Sequence, residues 1–413
     1  RNTTGGPLTG VYDVVPVSAD GCEGDMVQVT LTVNPEPILA SNLNAMTCSD
    51  APGGIVFDVS AASVAASSYN LVAITIPAGL IPGASNATIG TGMAADTISN
   101  DVFTNLTGGP QLVIYEVIPV SADGCEGDMK QVMLTVNPEP ILDPGLNSTT
   151  CSDVASGINL SVAGGSVAAA NYNVLAINVD PGLVANGGNA SPANGLSSTA
   201  IANDIFTNTT TGALTVTYDV VPVSASGCIG DMVQITLIVN PEPILNPALD
   251  ATVCSGLPSG IVLDVAAGSV GALTYNLVNI TVSPGLVSQV GNATVGTAKP
   301  ATVITNDVFT NTTANPLTVT YGIIPVSADG CLGDLVQVIL TVDPEPVIDP
   351  NLNTNIRSDV ASGIVINVAP TSVAADHFDI SAITVDPGLV SNAGNALVGA
   401  GQDANAIAGD IFT

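Results

Sequence analysis

Seven cysteines are the residues of this chain whose type and spacing could do chemistry, and they fall into two columns that repeat every 103 residues. The first column holds Cys22, Cys125, Cys228 and Cys331. The second holds Cys48, Cys151 and Cys254, and Arg357 stands where a fourth cysteine would be. Regular cysteine columns indicate disulfides, which persist in oxidising, extracytoplasmic compartments. Zinc fits poorly, because the chain has no Cys-x-x-Cys pair and its only histidine is His377.

Acidic side chains offer a second kind of chemistry. Asp50, Asp123 and Asp128 are expected near one end of the first complete repeat, and Glu36 lies in the Pro-Glu-Pro segment before it. Oxygen ligands gathered between two repeats are the kind that calcium takes. The chain lacks an Asp-x-Asp-x-Asp-Gly loop, however, and the column of Asp123 changes to Ser226. We therefore predict solvated turn residues and no cofactor, with a calcium site formed by these four residues as the alternative.

The sequence contains few residues that could catalyse a reaction. With one histidine there is no Ser-His-Asp set or histidine cluster, and no phosphate-binding loop is present. Carboxylates are plentiful, but they recur identically in every repeat, whereas a glycosidase needs two of them in one cleft. The sequence therefore predicts a protein that is not an enzyme.

Charge and hydropathy exclude two classes of partner. Asp and Glu total 35 against 4 Lys and Arg, so the formal net charge is −31. Phosphate backbones are bound by clustered Lys and Arg, which excludes a nucleic-acid partner, and an anionic membrane surface would repel the chain. No apolar run reaches the ~18 residues of a membrane span. We expect neither nucleic-acid binding nor membrane insertion.

One stretch, repeated four times, indicates the elements that carry these residues. It reads YEVIPVSADGCEGDMKQVMLTVNPEP from Tyr115, and the other copies start at Tyr12, Tyr218 and Tyr321. A β-rich run, a turn of Ser, Ala, Asp and Gly, and a second run with alternating apolar residues predict a β-hairpin. Asn-Pro-Glu-Pro ends the second strand, because proline cannot donate to a ladder. Each copy is therefore interpreted as the last hairpin of a domain, followed by a stiff linker.

About seven short strands per repeat, at spacings of ~10–15 residues, are typical of an immunoglobulin-like sandwich. The predicted fold is all-β, with tandem immunoglobulin-like (PKD-like) β-sandwich domains in a rod. Three aromatic columns, which include Tyr69, Phe103 and Tyr115, are expected in the cores. The predicted boundaries are 1–39 for the last hairpin of a repeat, 40–142, 143–245 and 246–348 for complete repeats, and 349–413 for the early part of another.

The sandwich model leads to a prediction for the cysteines. It places the turn between the last two strands at the end where the first strand begins, so that Cys125 is expected beside Cys48. The alternative partner, Cys22, is a whole strand and a linker away; eight strand residues span ~26 Å, and a disulfide tolerates ~7 Å between Cα atoms. We therefore predict a bond within each complete repeat, each worth ~4 kcal/mol by loop closure: Cys48–Cys125, Cys151–Cys228 and Cys254–Cys331. Cys22 is then left without a partner in this chain.

The phrase PVSADGCEGD followed by V-x-L-T-V-N-P-E-P, with D-[VI]-F-T-N-[LT]-T before it, resembles the PKD-like repeats of giant Bacteroidetes surface proteins. The resemblance covers essentially the whole chain. It implies an immunoglobulin-like fold, export by the type IX secretion route, and the stalk or adhesin role of a gliding-motility adhesin at the bacterial cell surface. Asp96-Thr97-Ile98 resembles the short Bacteroidetes O-glycosylation site, which makes Thr97 a candidate for modification.

Three functions remain open from the sequence. The first is the structural stalk of an extracellular filament or surface adhesin, in which each repeat's neighbours are the rest of a longer chain. The second is a protomer that joins other copies of itself head to tail, because residues 1–39 supply late strands and residues 349–413 supply early ones. The third is a module that binds a glycan or a protein, although no exposed aromatic cluster is evident.

Overall fold

The computed structural model describes residues 1–413 and contains only β-structure. Residues near the start form one antiparallel hairpin of two strands, β1 (Leu8–Val14) and β2 (Val27–Val33). Both strands are exposed along their whole length. They correspond to the hairpin that the sequence predicts at the end of a repeat.

The first complete unit has seven strands, which agrees with the predicted number although not with every predicted position. They are β3 (Ala45–Cys48), β4 (Ala66–Thr75), β5 (Leu80–Pro82), β6 (Gly90–Met93), β7 (Phe103–Asn105), β8 (Gln111–Ser121) and β9 (Lys130–Asn137). Five of them form one sheet in the order β3-β9-β8-β4-β6, and β5 pairs with β7 in a small second sheet.

The next two units repeat this plan strand for strand. The second contains β10 (Ser148–Cys151), β11 (Ala169–Val179), β12 (Leu183–Ala185), β13 (Ala193–Leu196), β14 (Phe206–Asn208), β15 (Leu214–Ser224) and β16 (Val233–Asn240). The third contains β17 (Ala251–Cys254), β18 (Ala272–Val282), β19 (Leu286–Ser288), β20 (Gly296–Lys299), β21 (Phe309–Asn311), β22 (Leu317–Ser327) and β23 (Val336–Asp343). The last residues form only β24 (Phe378–Ile380) and β25 (Gly399–Gln402).

The hairpin β8–β9 forms the centre of the first core because its alternating residues point between the two sheets. Val113, Tyr115 and Val117 of β8 are fully buried, and so are Leu134 and Val136 of β9. Phe103 of the small sheet packs in the same cluster of buried side chains. The second and third units bury equivalent clusters, so each unit has its own core.

Two segments whose residues favour strands, 54–59 and 96–102, form no named strand in the structure. The run from Gly54 to Val59 contributes only an isolated bridge between Val59 and Leu39. Residues 95–100 form consecutive turns rather than a strand entry, and the strand begins at Phe103. Backbone amides in both segments form hydrogen bonds that are not part of a β-ladder. The Phe57 amide, for example, donates to the Ala95 carbonyl. Apolar β-type residues are therefore buried here without regular pairing.

The first strand of each unit pairs in parallel with the last strand, and this pairing decides where the cysteines lie. In β3 and β9, Ala45 is opposite Leu134 and Cys48 is opposite Asn137. Cys48 therefore lies at the end of the sheet where the chain leaves the unit, which we call the exit pole. The hairpin turn with Cys125 precedes β9 at Lys130 and lies at the opposite end, the entry pole.

Candidate functional site: the joint between units

The disulfides join neighbouring units, and the pairing predicted from the sequence is wrong. Cys48 is bonded to Cys228 and Cys151 to Cys331, each pair 180 residues apart with its Cα atoms 5.5 Å from each other. Cys125 and Cys254, which were predicted to be bonded, are free, as is Cys22.

The physical reason for the error is the parallel pairing of the first strand. Cys48 and Cys125 lie at opposite poles of one sheet, separated by β9, whose eight residues span ~26 Å. That distance is several times the ~7 Å that a disulfide tolerates between Cα atoms. The exit pole of one unit instead meets the entry pole of the next, where the hairpin turn of the second unit presents Cys228.

The Pro-Glu-Pro linker is enclosed in this joint. Pro138 and Pro140 are buried, as are the two prolines of the preceding linker and of the following one. The prolines of the last linker, Pro344 and Pro346, are not buried, and in this chain no hairpin turn follows them. The hairpin turn of the following unit is therefore the element that covers each linker.

A glycine in the hairpin turn makes this coverage possible. A Cβ built on Gly230 would stand 1.9 Å from the carbonyl oxygen of Pro140 and 3.0 Å from the Pro222 side chain. Gly127 and Gly333 have the same relation to Pro37 and Pro243, with the same separation of 1.9 Å. Any larger residue would clash with the linker backbone. The motif Cys-x-Gly-Asp thus supplies the sulfur that bonds the preceding unit and the close approach to its linker.

Carboxylates meet at the joint as well. Burial raises the pKa of Glu139, and the nearby charges of Asp50 and Asp231 raise it further. The equivalent Glu242 is affected more strongly: burial, followed by the charges of Asp153 and Asp334, raises its pKa to about 7. Each of these linker glutamates therefore faces one aspartate from the unit before it and one from the hairpin turn after it.

The structure does not bring together the four residues of the alternative calcium site. Glu36 and Asp128 both contact Arg1, whose Nε donates to Glu36 Oε2 at 2.7 Å and whose Nη2 donates to Asp128. Asp50 instead accepts from the Thr104 and Ser49 hydroxyls, and Asp123 is exposed in the hairpin turn. No group of three or more His, Cys, Asp or Glu side chains is arranged to hold a metal ion. Glu36 and Asp128 are thus brought together by Arg1, whereas Asp50 and Asp123 lie away from them, which spacing along the chain did not reveal.

A serine and an asparagine fasten the exit pole from inside each unit. Ser49 Oγ accepts from the Asn105 amide at 2.9 Å, and the Asn105 side chain donates to the Val136 carbonyl at 2.8 Å. Ser152 and Asn208 make the same contacts in the second unit, and Asn105 and Asn208 are both buried. These bonds tie the small sheet to the last strand beside the cysteine. Sequence reasoning missed them, although the repeated Phe-Thr-Asn triplet was a visible signal.

The remaining predicted residues lie away from the joints. Thr97 is partly exposed in a turn, and His377 is exposed beside Asp376, with 3.1 Å between His377 Nδ1 and Asp376 Oδ2. A cleft lined by Ala40, Asp58 and Ala65 has a volume of about 520 Å³, is open to solvent and contains no aromatic residue. The structure contains no helix with the length and apolarity of a membrane crossing.

Comparison with known proteins gives one family match. The model of the PKD-like domain matches residues 1–37, 81–140, 184–243 and 274–346. These ranges include every hairpin turn with its Cys-x-Gly-Asp motif and the Pro-Glu-Pro linkers. No curated protein sequence matches the chain.

Several solved structures of tandem β-domains are similar. Protocadherin Gamma B2 extracellular cadherin domains 3–6 share 9% identity over 82% of this chain and 83% of that chain, with a TM-score of 0.23. A three-domain titin immunoglobulin structure shares 6% identity over 75% and 99%, with a TM-score of 0.26. The chicken CNTN1 FN1–FN3 domains share 7% over 75% and 99%, with a TM-score of 0.25.

Proposed function

The chain belongs to the PKD-like domain family, and from that premise we propose that it is the structural stalk of an extracellular filament or surface adhesin rather than an enzyme. The observation that carries the proposal is the joint. Each of the first three linkers has both prolines buried under the hairpin turn of the next unit, and two of these joints are also closed by a disulfide. Joints of this construction restrict bending, which is what a spacer requires.

The extracellular part of this proposal rests on the disulfides, which are typical of oxidising compartments. Attachment at a bacterial cell surface, a Bacteroidetes source and type IX export belong to the proposal through the resemblance of the repeats. The full-length open reading frame tests these points. A terminal type IX sorting domain and further repeats would support them, whereas a reading frame with neither would contradict them.

Small-angle X-ray scattering tests the stalk. Units of ~40 Å, from strands of ten to twelve residues, give an expected maximum dimension of ~160 Å for four domain equivalents. The Cys48→Ser/Cys151→Ser double variant lacks both joint disulfides and should show a broader distribution of distances. The Cys125→Ser variant is the matched control, because Cys125 is free. A maximum dimension far below ~160 Å in the oxidised protein would contradict a stalk.

A second candidate is head-to-tail assembly between copies of this chain, in which the first hairpin of one copy would complete residues 349–413 of another. Tyr12 of the first hairpin is 56% exposed, whereas the equivalent Tyr115, Tyr218 and Tyr321 are fully buried. In the last unit Asp410 is buried and accepts from the Ala396 amide at 2.7 Å. Each of its three counterparts also accepts from a tyrosine hydroxyl, and no tyrosine contacts Asp410.

Because all repeats share one period, the contacts between the two ends of neighbouring copies can be predicted. If the hairpin of a second copy completed residues 349–413 with the same period, its Tyr12 would meet Asp410 and its Cys22 would meet Cys254. A longer polypeptide would cover the same surfaces with its own neighbouring repeats. Sedimentation of the 413-residue chain distinguishes the cases: oligomers joined by a Cys22–Cys254 disulfide support assembly, and a monomer at all concentrations contradicts it.

A further inference from the structure

The two disulfides close loops that overlap along the chain. One loop runs from Cys48 to Cys228 and the other from Cys151 to Cys331, each with a separation of 180 residues. Residues 151–228 belong to both loops. A force applied to the two ends of the chain therefore reaches Cys228 directly from Cys48 and does not have to pass through the residues between them.

The position of the sulfurs determines which strands carry that force in the folded protein. In the second unit, tension enters at Cys228 of the hairpin turn and follows β16 along its axis from the entry pole to Asn240. Cys151 stands opposite Asn240 across the parallel pair of β10 and β16, so the second disulfide receives the load by shear across that pair. The other strands of the unit lie beside this route.

The core of the first unit is protected from tension more completely than that of the second. Tension entering from the N-terminal side reaches Cys48 at the end of β3 and leaves through the disulfide. Strands β4 to β9, which hold most of the core, lie inside the closed loop. While the bond is intact, these strands lie outside the shortest covalent path between the two ends of the chain.

We propose that the disulfides between units form a covalent bypass, which carries tension from unit to unit and limits the extension of the chain. This function goes beyond that of a stalk, since a stalk needs only fixed joints. The shortest covalent path between Cys228 and Cys331 runs back to Cys151 and across the second disulfide. Following this path, the oxidised chain extends to about half the length of the reduced chain, or ~700 Å against ~1,400 Å at ~3.4 Å per residue.

Single-molecule pulling on the 413-residue chain tests the proposal, with handles attached through peptide tags at residues 1 and 413. Thiol titration under denaturing conditions first identifies oxidised molecules, which should show three free thiols against seven after reduction. Reduction of each disulfide consumes two electrons and two protons from an added dithiol and gives two thiols. The expected result is a fully extended length that doubles on reduction.

Two variants make the outcome specific. Cys48→Ser/Cys151→Ser should extend to the full length even when oxidised. Cys125→Ser should keep the half length, because Cys125 takes no part in the bypass, whereas disulfides within units would make this variant longer. A full extended length in oxidised molecules, or a lengthening caused by Cys125→Ser, would overturn the proposal.

Discussion

Gly230 approaches the Pro140 carbonyl oxygen so closely that a Cβ at this glycine would lie 1.9 Å from the oxygen. The two residues belong to different elements: Pro140 ends a linker, and Gly230 lies in the hairpin turn of the unit that the linker enters. The contact recurs at the two neighbouring joints, so it is a rule of the repeat rather than a feature of one joint.

Replacing Gly230 with alanine should open one joint. The added methyl group must displace the hairpin turn or the linker, which costs about 1–3 kcal/mol by overpacking. The Cys48–Cys228 bond should then be reduced at a less reducing glutathione ratio than in the unchanged chain, as measured by thiol alkylation and mass spectrometry. Gly187→Ala is the control, because a Cβ there meets no atom within 4 Å. Equal behaviour of the two variants would refute the close contact.

Trypsin should reveal the disulfide between units on a gel. The enzyme cuts after Lys130 and Arg357 but not after Lys299, which precedes proline. In denatured, alkylated protein Cys48 stays with residues 2–130 and Cys228 with residues 131–357, so the two fragments should migrate together until reductant is added.

Cysteine variants give this digest its controls. Cys228→Ser should release residues 2–130 without reductant. Cys331→Ser removes a disulfide that lies inside the larger fragment, so the joined band should persist. Separate fragments from the unchanged, oxidised chain would mean that Cys48 is bonded elsewhere.

Removal of a buried tyrosine hydroxyl should destabilise one unit. The Tyr218 hydroxyl donates to Asp204 Oδ2 at 3.0 Å, and both residues are buried. Tyr218→Phe leaves the carboxylate oxygen without its donor, which costs about 1–3 kcal/mol. Hydrogen–deuterium exchange in residues 143–245 measures the loss. Tyr12→Phe is the control because Tyr12 is exposed; an equal effect of both substitutions would exclude a role for the buried bond.

The joint with Glu242 should be more stable in mild acid. Burial and two aspartate charges raise the pKa of Glu242 from 4.5 to about 7, so the folded joint binds this proton more tightly than the unfolded chain does. By linkage, the stabilising contribution is complete below about pH 4.5 and is lost as the pH rises through about 7. Thermal unfolding between these limits should show the loss.

Two glutamine variants separate this effect from general acid stability. Glu242→Gln should flatten the pH dependence because it removes the titrating proton. Glu345 is the equivalent residue of the last linker, where it is exposed and where Gly256 stands in place of Asp153. Glu345→Gln should therefore leave the pH dependence of stability unchanged. A slope of the same size in both variants would exclude Glu242 as its source.

Much of the unit could be predicted from the sequence because strand alternation and turn residues act locally. The hairpin from Tyr115, its tight turn and the burial of the tyrosine follow from residues near one another in the chain. The partner of Cys48 does not. In a periodic sequence, a bond to Cys125 and a bond to Cys228 repeat equally well in every unit, so the columns cannot distinguish them. The partner depends on whether β3 runs parallel or antiparallel to β9, and the four residues of β3 do not indicate that direction.

The joint was also hidden for a physical reason. Pro-Glu-Pro predicts a stiff segment but not its burial, because the covering hairpin turn comes about 90 residues later. Gly230 likewise looks like an ordinary turn glycine, and only the structure shows that the space beyond it is filled by another segment.

The separation of 180 residues within each disulfide has a consequence for biogenesis. A repeat emerging from a ribosome or a secretion pore presents Cys48 long before Cys228 has been delivered. Its thiol must wait, reduced or held by an oxidoreductase, until the following repeat has folded its own hairpin. Oxidation of such a protein therefore advances one repeat behind synthesis, in a fixed order from the N-terminus.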